Sequence, residues 1–242
     1  MDSIILAGGF AKRMWPLTKN TPKQLLDVAG KPMLTHVLKS LEKINPERVI
    51  VSVNSFFESN FKNFLKDYKG PLNLELFVES SNNEEEKLGA LGALNLLFSE
   101  FSIKGPVFIA GGDNLSNFDL NRMVEQYQKT KKDVIGLYDV EDIELAKLYG
   151  IAETSNDSII DFYEKPNDPK STLAATAYWL LSEEGITNFL DYINSGGDRD
   201  ALGNFLNWNI KKTDVKSVSF QGIWYDIGDL DSYTTAQNWL SN

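Results

Sequence analysis

The sequence predicts an α/β protein with a doubly wound, mixed but mostly parallel sheet and helices on both faces, in a single domain spanning residues 1–242. Two observations carry this expectation. Short β-branched runs alternate with longer segments of helical period, which is the βαβα rhythm of such a sheet. Three of the runs, SIILA (3–7), RVIVSV (48–53) and PVFIAG (106–111), are almost continuously apolar. That is the pattern of parallel strands covered on both faces.

Further strands are predicted at LELFVE (74–79), DVIGLYDV (133–140), SIIDFYE (158–164), TAYWLL (176–181) and VKSVSF (215–220). Helical periodicity covers 32–43, 55–68, 88–101, 119–131, 183–194, 200–212 and 230–240. After residue 140 the strands lie closer together and become amphipathic, which suggests antiparallel additions or a small cover over the sheet. Gly196-Gly197 reads as a turn, and no repeat or low-complexity tract is present.

Composition narrows the function. The 24 basic and 34 acidic side chains give a net charge of −10, which disfavours nucleic acid polymers and anionic membranes as partners. The absence of cysteine removes disulfides, thiolate zinc sites and cysteine nucleophiles. The start MDSIILAGG has no basic stretch before its apolar run, and no apolar stretch reaches bilayer length. A cytoplasmic protein is therefore expected.

In an open α/β sheet ligands sit beyond the carboxyl ends of the strands, so candidate site residues are expected there. The first strand runs into Leu6-Ala7-Gly8-Gly9, where two glycines let backbone N–H groups approach a phosphate or a base. Lys12, Arg13, Lys19, Lys23 and Lys31 follow within twenty residues that hold one acid, Asp27. In so acidic a chain this is a local positive funnel. A P-loop and a dinucleotide fingerprint both fail, because GxxxxGK[ST] and GxGxxG are absent.

The string LAGGFAKRMWPLT…PKQLLDVAGKPML, from Leu6 to Leu34, resembles the signature of the sugar-phosphate nucleotidyltransferases. One departure is Ala11, where many members carry glycine, with Lys12 in place of Ser or Thr. The resemblance extends to Leu88-Gly89-Ala90-Leu91-Gly92-Ala93-Leu94, Gly111-Gly112-Asp113-Asn114, Tyr149-Gly150-Ile151, Glu164-Lys165-Pro166 and Trp224-Tyr225-Asp226-Ile227-Gly228. It covers the chain from Ile4 to the helix after Gly228.

The resemblance implies a Rossmann-like fold and the transfer of a nucleotidyl group from an NTP to a sugar 1-phosphate, with pyrophosphate released. Arg13 would neutralise the pyrophosphate, and Lys23 would bridge the phosphates of both substrates. Leu6, Ala7, Gly8, Gly9, Glu79, Gly89 and Gly112 would line the nucleotide, with Gly89 admitting the base against the backbone. Gly150, Glu164, Lys165 and Trp179 would meet the sugar phosphate, and Asp113 and Asp226 would hold Mg2+. Hard Mg2+ suits a few carboxylates supplemented by substrate phosphates.

The first expectation for substrates is dTTP or UTP with glucose 1-phosphate. Glu79 stands where pyrimidine-using relatives often have glutamine, and a carboxylate cannot donate to a pyrimidine O4. Mannose 1-phosphate with GTP, phosphocholine with CTP, and a silent nucleotide-sugar-binding regulator are the alternatives. Self-association into a homo-oligomer is left open.

Overall fold

The computed structural model describes residues 1–240, with the backbone alone at 239 and 240. In chain order the elements begin with β1 (Asp2–Leu6), β2 (Asp27–Val28), β3 (Lys31–Pro32), α1 (Met33–Glu42), β4 (Val49–Asn54), α2 (Glu58–Asp67) and β5 (Leu74–Glu79). Next come α3 (Ala90–Glu100), β6 (Val107–Gly111), β7 (Asn114–Ser116), α4 (Asn121–Thr130), β8 (Val134–Asp139), α5 (Ile143–Ala146) and β9 (Gly150–Ser155). The remainder are β10 (Ser158–Glu164), β11 (Leu173–Leu181), α6 (Glu183–Asn194), α7 (Leu202–Asn209), β12 (Lys216–Phe220), β13 (Trp224–Asp226) and α8 (Leu230–Leu240). The result is a mixed α/β fold with helices on both sides of the sheet.

By internal contacts the chain divides into two compact units. The first is Met1–Lys87, Ala110–Asp119 and Gly222–Asn242, and the second is Leu88–Ile109 and Leu120–Gln221.

In the first unit the strand order is β5-β4-β1. β1 pairs with β4 in parallel, Ser3 opposite Val49, and β4 pairs with β5 in parallel. β4 is buried at every residue, whereas β5, at the edge, is mostly half-buried. This matches their sequences, β4 being mostly β-branched and apolar and β5 carrying Glu75 and Glu79 among its apolar residues. α1 buries Met33, Leu34, Val37, Leu38 and Leu41, the stripe that a 3.6-residue period places on one face. β7 and β13 form a separate antiparallel ribbon, with Asp226 opposite Asn114.

The second unit carries the order β6-β11-β8-β12-β10-β9. Here β8 and β12 are parallel, whereas β11 with β8, β10 with β12 and β9 with β10 are antiparallel. Antiparallel pairs thus predominate among the later strands, with β12 beside β8 the parallel exception. β9 and β10 form a hairpin through Asn156 and Asp157, both in the left-handed region at φ 48° and 64°. Two such residues are the type I′ signature that suits a right-twisted hairpin. β9 was missed in the sequence because Gly-Ile-Ala-Glu-Thr-Ser is poor in strand formers.

Asp133, at the foot of β8, organises this unit. Its Oδ1 accepts from the Ser182 backbone N–H and hydroxyl, both at 2.7 Å, and its Oδ2 accepts from Asn209 Nδ2 at 2.7 Å. Ser182 is the N-cap of α6 and Asn209 ends α7, so one carboxylate ties two helices to the sheet. The carboxylate reaches the α6 N-terminus because Gly185 has no side chain: a Cβ there would lie 2.0 Å from Oδ1. Burial pushes the Asp133 carboxyl above its ordinary range, opposed by the Ser182 and Asn209 hydrogen bonds. No helix among the described residues is long and apolar enough to cross a membrane.

Asp133→Ala should leave three buried donors without an acceptor and cost about 3 kcal/mol or more in urea unfolding. Asp133→Asn, which keeps one acceptor, should fall between it and the parent. Equal stability of all three proteins would remove Asp133 from this role.

Candidate active site

The carboxyl ends of β1, β4, β5 and β6 bring the first group of predicted residues together. Past Leu6, the Ala7 N–H donates to the Ser52 carbonyl at 2.8 Å, and Asn54 Nδ2 donates to the Gly8 carbonyl at 2.9 Å. The Gly-Gly loop is therefore strapped to the end of β4. Glu79 packs close against Gly8: a Cβ there would lie 2.5 Å from Glu79 Oε1 and the carboxylate would have to shift. Glu79 is 5% exposed, and its Oε1 accepts from the Ser52 hydroxyl at 2.7 Å. Burial pushes the Glu79 carboxyl up, with the Ser52 hydrogen bond opposing. Gly112 closes the floor, its N–H bonded to the Leu6 carbonyl at 2.9 Å and its missing Cβ leaving room for Gln24.

Beyond the glycines, Ala11 takes the left-handed conformation (φ 48°, ψ 44°) and starts the short 3-10 turn Lys12–Met14. Its carbonyl accepts from the Thr18 hydroxyl at 2.8 Å. Glycine would take this conformation with less strain, because a Cβ crowds the following carbonyl in this region. The turn leaves Arg13 exposed, its guanidinium 3.3 Å from where a Cβ on Gly228 would lie. From there its charge opposes the rise of the Asp226 carboxyl and adds to the lowering of Asp229 by the Ser232 hydrogen bonds.

Lys23 is the most constrained cation of the set. Pro22 leads into the 3-10 turn Lys23–Leu25, and Lys23 is only 8% exposed. Its Nζ donates to Asp113 Oδ2 and to the Ile227 carbonyl, both at 2.6 Å. A surface lysine after a proline turn is thereby excluded. Burial alone would raise the Asp113 carboxyl, but the Lys23 charge and hydrogen bond, with Asn114, hold it below the ordinary range. Burial, and next the charge of Asp113, push the Asp226 carboxyl up to about 6.

Asp113 and Asp226 are joined through a residue that sequence reasoning passed over. Asn114 Nδ2 donates to Asp113 Oδ1 at 3.1 Å and to Asp226 Oδ1 at 3.2 Å. Among the described residues no cluster of three or more His, Cys, Asp or Glu side chains is placed to hold a metal. A pair of carboxylates bridged by one amide still fits a hard divalent ion that takes its other oxygens from phosphates and water. Asp113 and Asp226 are the residues that would hold it.

The remaining predicted residues fall in the second unit. Glu164 ends β10, and a Cβ on Gly203 or Gly150 would lie 2.5 Å or 3.0 Å from its Oε2. Its carboxyl is raised by burial and lowered by the Lys165 charge. Lys165 is exposed, has a left-handed backbone (φ 45°), and its N–H bonds to the Tyr149 carbonyl at 3.1 Å.

Two residues take positions with other consequences than expected. The space left by Gly89 is occupied by the chain itself, since a Cβ there would meet the Arg199 carbonyl at 2.3 Å. The N–H groups of Ala90 and Leu91 bond to the Asp200 and Arg199 carbonyls. Trp179 is 2% exposed, and its indole N–H is used on the Thr176 carbonyl at 3.0 Å.

With this geometry in place, comparison with known proteins is direct. The chain matches the Nucleotidyl transferase family over residues 2–242 and belongs to it. Among its relatives, a Sulfolobus acidocaldarius protein assigned as a mannose-1-phosphate guanyltransferase is 29% identical over 94% of this chain and 60% of its own length. The Haloferax volcanii UTP–glucose-1-phosphate uridylyltransferase AglF is 29% identical over 75% of this chain and 72% of its own. A Bacillus anthracis structure assigned as a glucose-1-phosphate thymidylyltransferase, in complex with sucrose, superposes with a TM-score of 0.81 at 25% identity. It covers 100% of this chain and 96% of that one. The chain spans about 60% of the length of the Sulfolobus relative.

Ala11→Gly should leave thermal stability unchanged or raise it by up to ~1 kcal/mol. The same change in right-handed backbone costs about 0.5–1 kcal/mol. A loss of that size in a denaturation curve would show that Ala11 is not left-handed.

Proposed function

We propose that this protein transfers a nucleotidyl group from an NTP to a sugar 1-phosphate and releases pyrophosphate. The observation that carries the reading is the buried Lys23 ammonium beside the Asp113 and Asp226 carboxylates, at the end of a nucleotide-type sheet. Such chemistry needs positioning and charge neutralisation more than a covalent helper. Lys23, a compact point charge, neutralises the phosphates of the two anionic substrates, and Arg13 draws off the charge of the leaving pyrophosphate. Lys165 holds the phosphate of the sugar and Glu164 accepts from sugar hydroxyls. A divalent ion on Asp113 and Asp226, Mg2+ in our reading, would supply further charge neutralisation when bound.

Glu79 favours guanine as the base. Its Oε1 is held by Ser52, while Oε2 takes no hydrogen bond among the described residues. As an ionised group it accepts only, and the Watson–Crick edge of guanine offers adjacent N–H donors where uracil and thymine offer O4. The Sulfolobus relative, assigned to GTP and mannose 1-phosphate, supports this choice over dTTP or UTP with glucose 1-phosphate. Mannose 1-phosphate is the corresponding acceptor.

A pyrophosphate-release assay pairing each NTP with mannose 1-phosphate and glucose 1-phosphate tests the reaction. Lys23→Met should lower kcat/KM by roughly a hundredfold or more on the best pair, with folding checked by circular dichroism. Turnover within threefold of the parent would place the active site elsewhere.

Glu79→Gln should lower kcat/KM for GTP by about ten- to a hundredfold, the size of one charge-assisted hydrogen bond, and improve use of UTP or dTTP. An unchanged order of preference among the NTPs would release Glu79 from base selection.

A further inference from the structure

The Asn114 amide can serve both aspartates in only one of its two orientations, and the structure shows what selects it. Asn114 Oδ1 accepts from the Trp224 indole Nε1–H at 2.8 Å. An indole nitrogen only donates, so the amide oxygen must face the ring and the NH2 must face away from it. That NH2 donates to Asp113 Oδ1 at 3.1 Å and to Asp226 Oδ1 at 3.2 Å. In the flipped orientation the amide oxygen would confront two carboxylate oxygens. Asn114 is 3% exposed and Trp224 8%, so water offers little competition for these bonds.

The ribbon of β7 and β13 makes the arrangement local and stiff. Asp226 is directly opposite Asn114, Tyr225 opposite Leu115, and Trp224 opposite Ser116. Trp224 and Asp226 are two residues apart on one strand and so project to the same face, the face that Asn114 presents to them. Asp113 immediately precedes the partner strand. One oxygen of each aspartate is committed to the amide. Asp226 Oδ2 takes no hydrogen bond among the described residues, and Asp113 Oδ2 meets Lys23.

We propose that Trp224 is a positioning residue for divalent-cation binding: through its indole N–H it fixes the Asn114 amide, which sets the spacing and facing of the Asp113 and Asp226 carboxylates. This rests on the reading above that the two aspartates hold the cation. Outer partners of metal ligands act in this way, and their loss typically weakens the metal about 10–100-fold. It also assigns a purpose to the tryptophan of the Trp-x-Asp pattern.

The test is Mn2+ binding followed by electron paramagnetic resonance on the full chain, which reads the site without turnover. Trp224→Phe keeps the ring and removes the N–H, and should weaken Mn2+ at least tenfold with little change in Tm. Asn114→Leu should weaken it by the same factor, and the double variant no further, because both act through one amide. Trp224→Phe binding Mn2+ within twofold of the parent, or additive losses in the double variant, overturns the proposal. Should Trp224→Phe not fold, Asn114→Leu decides alone, and unchanged binding there overturns it. Asp113→Asn and Asp226→Asn probe the underlying reading separately. Parent-like Mn2+ binding in both would remove the cation site and the proposal with it, whereas loss there with none in Trp224→Phe removes the proposal alone.

Discussion

A lysine ammonium withdrawn from water must be met by opposite charge and by oxygen lone pairs, or it loses its proton. Lys23 meets that demand with one carboxylate and one backbone carbonyl, taken from segments 90 and 204 residues away in sequence. The three groups in this arrangement are mutually dependent. Asp113 keeps its charge because Lys23 is there, and the Ile227 carbonyl is fixed because the Ile227 N–H returns to the Asp113 carbonyl at 3.1 Å. The loop after Pro22, the end of β6 and the end of β13 are thereby pinned to one point. A buried ammonium keeps its charge only if an acid stands beside it, and Asp113 does so here.

The second unit has a buried ion of the opposite sign treated in the opposite manner. Asp133 has no cation within hydrogen-bonding reach among the described residues, and is satisfied by neutral donors from Ser182 and Asn209. Its carboxyl is correspondingly raised where that of Asp113 is lowered. The contrast separates a carboxylate met by neutral donors from one met by a cation. Neutral donors only partly offset the desolvation of Asp133, whereas the charge and hydrogen bond of Lys23, with Asn114, outweigh that of Asp113.

Much of this was legible in the sequence. The runs at 48–53 and 106–111 are apolar because both faces are covered, and β4 and β6 are buried throughout. Residues from Leu6 to Lys23 could be placed near one another because they follow a single strand. What periodicity could not supply were elements of two or three residues, such as β7 and β13, whose pairing depends on tertiary contacts rather than on local pattern. Asn114 was passed over for the same reason: its importance lies in three partners, two of them more than a hundred residues away. Gly89 shows the converse limit. A glycine signals that something comes close, but not whether the neighbour is a ligand or, as here, the Arg199 backbone.

The first unit is assembled from three separated stretches, while the second lies wholly between Leu88 and Gln221 apart from the insertion at 110–119. On the ribosome this imposes an order of events. The second unit has every residue it needs once Gln221 has emerged, and domains generally gather as units during synthesis. The first unit still lacks Asp226, Ile227 and Trp224 at that moment. Lys23 and Asp113 can already meet, but the carbonyl and the amide orientation that complete their surroundings arrive only with the last stretch. Nascent chains shorter than this would therefore have gathered one unit while the Lys23–Asp113 pair still lacked its backbone carbonyl and its oriented amide.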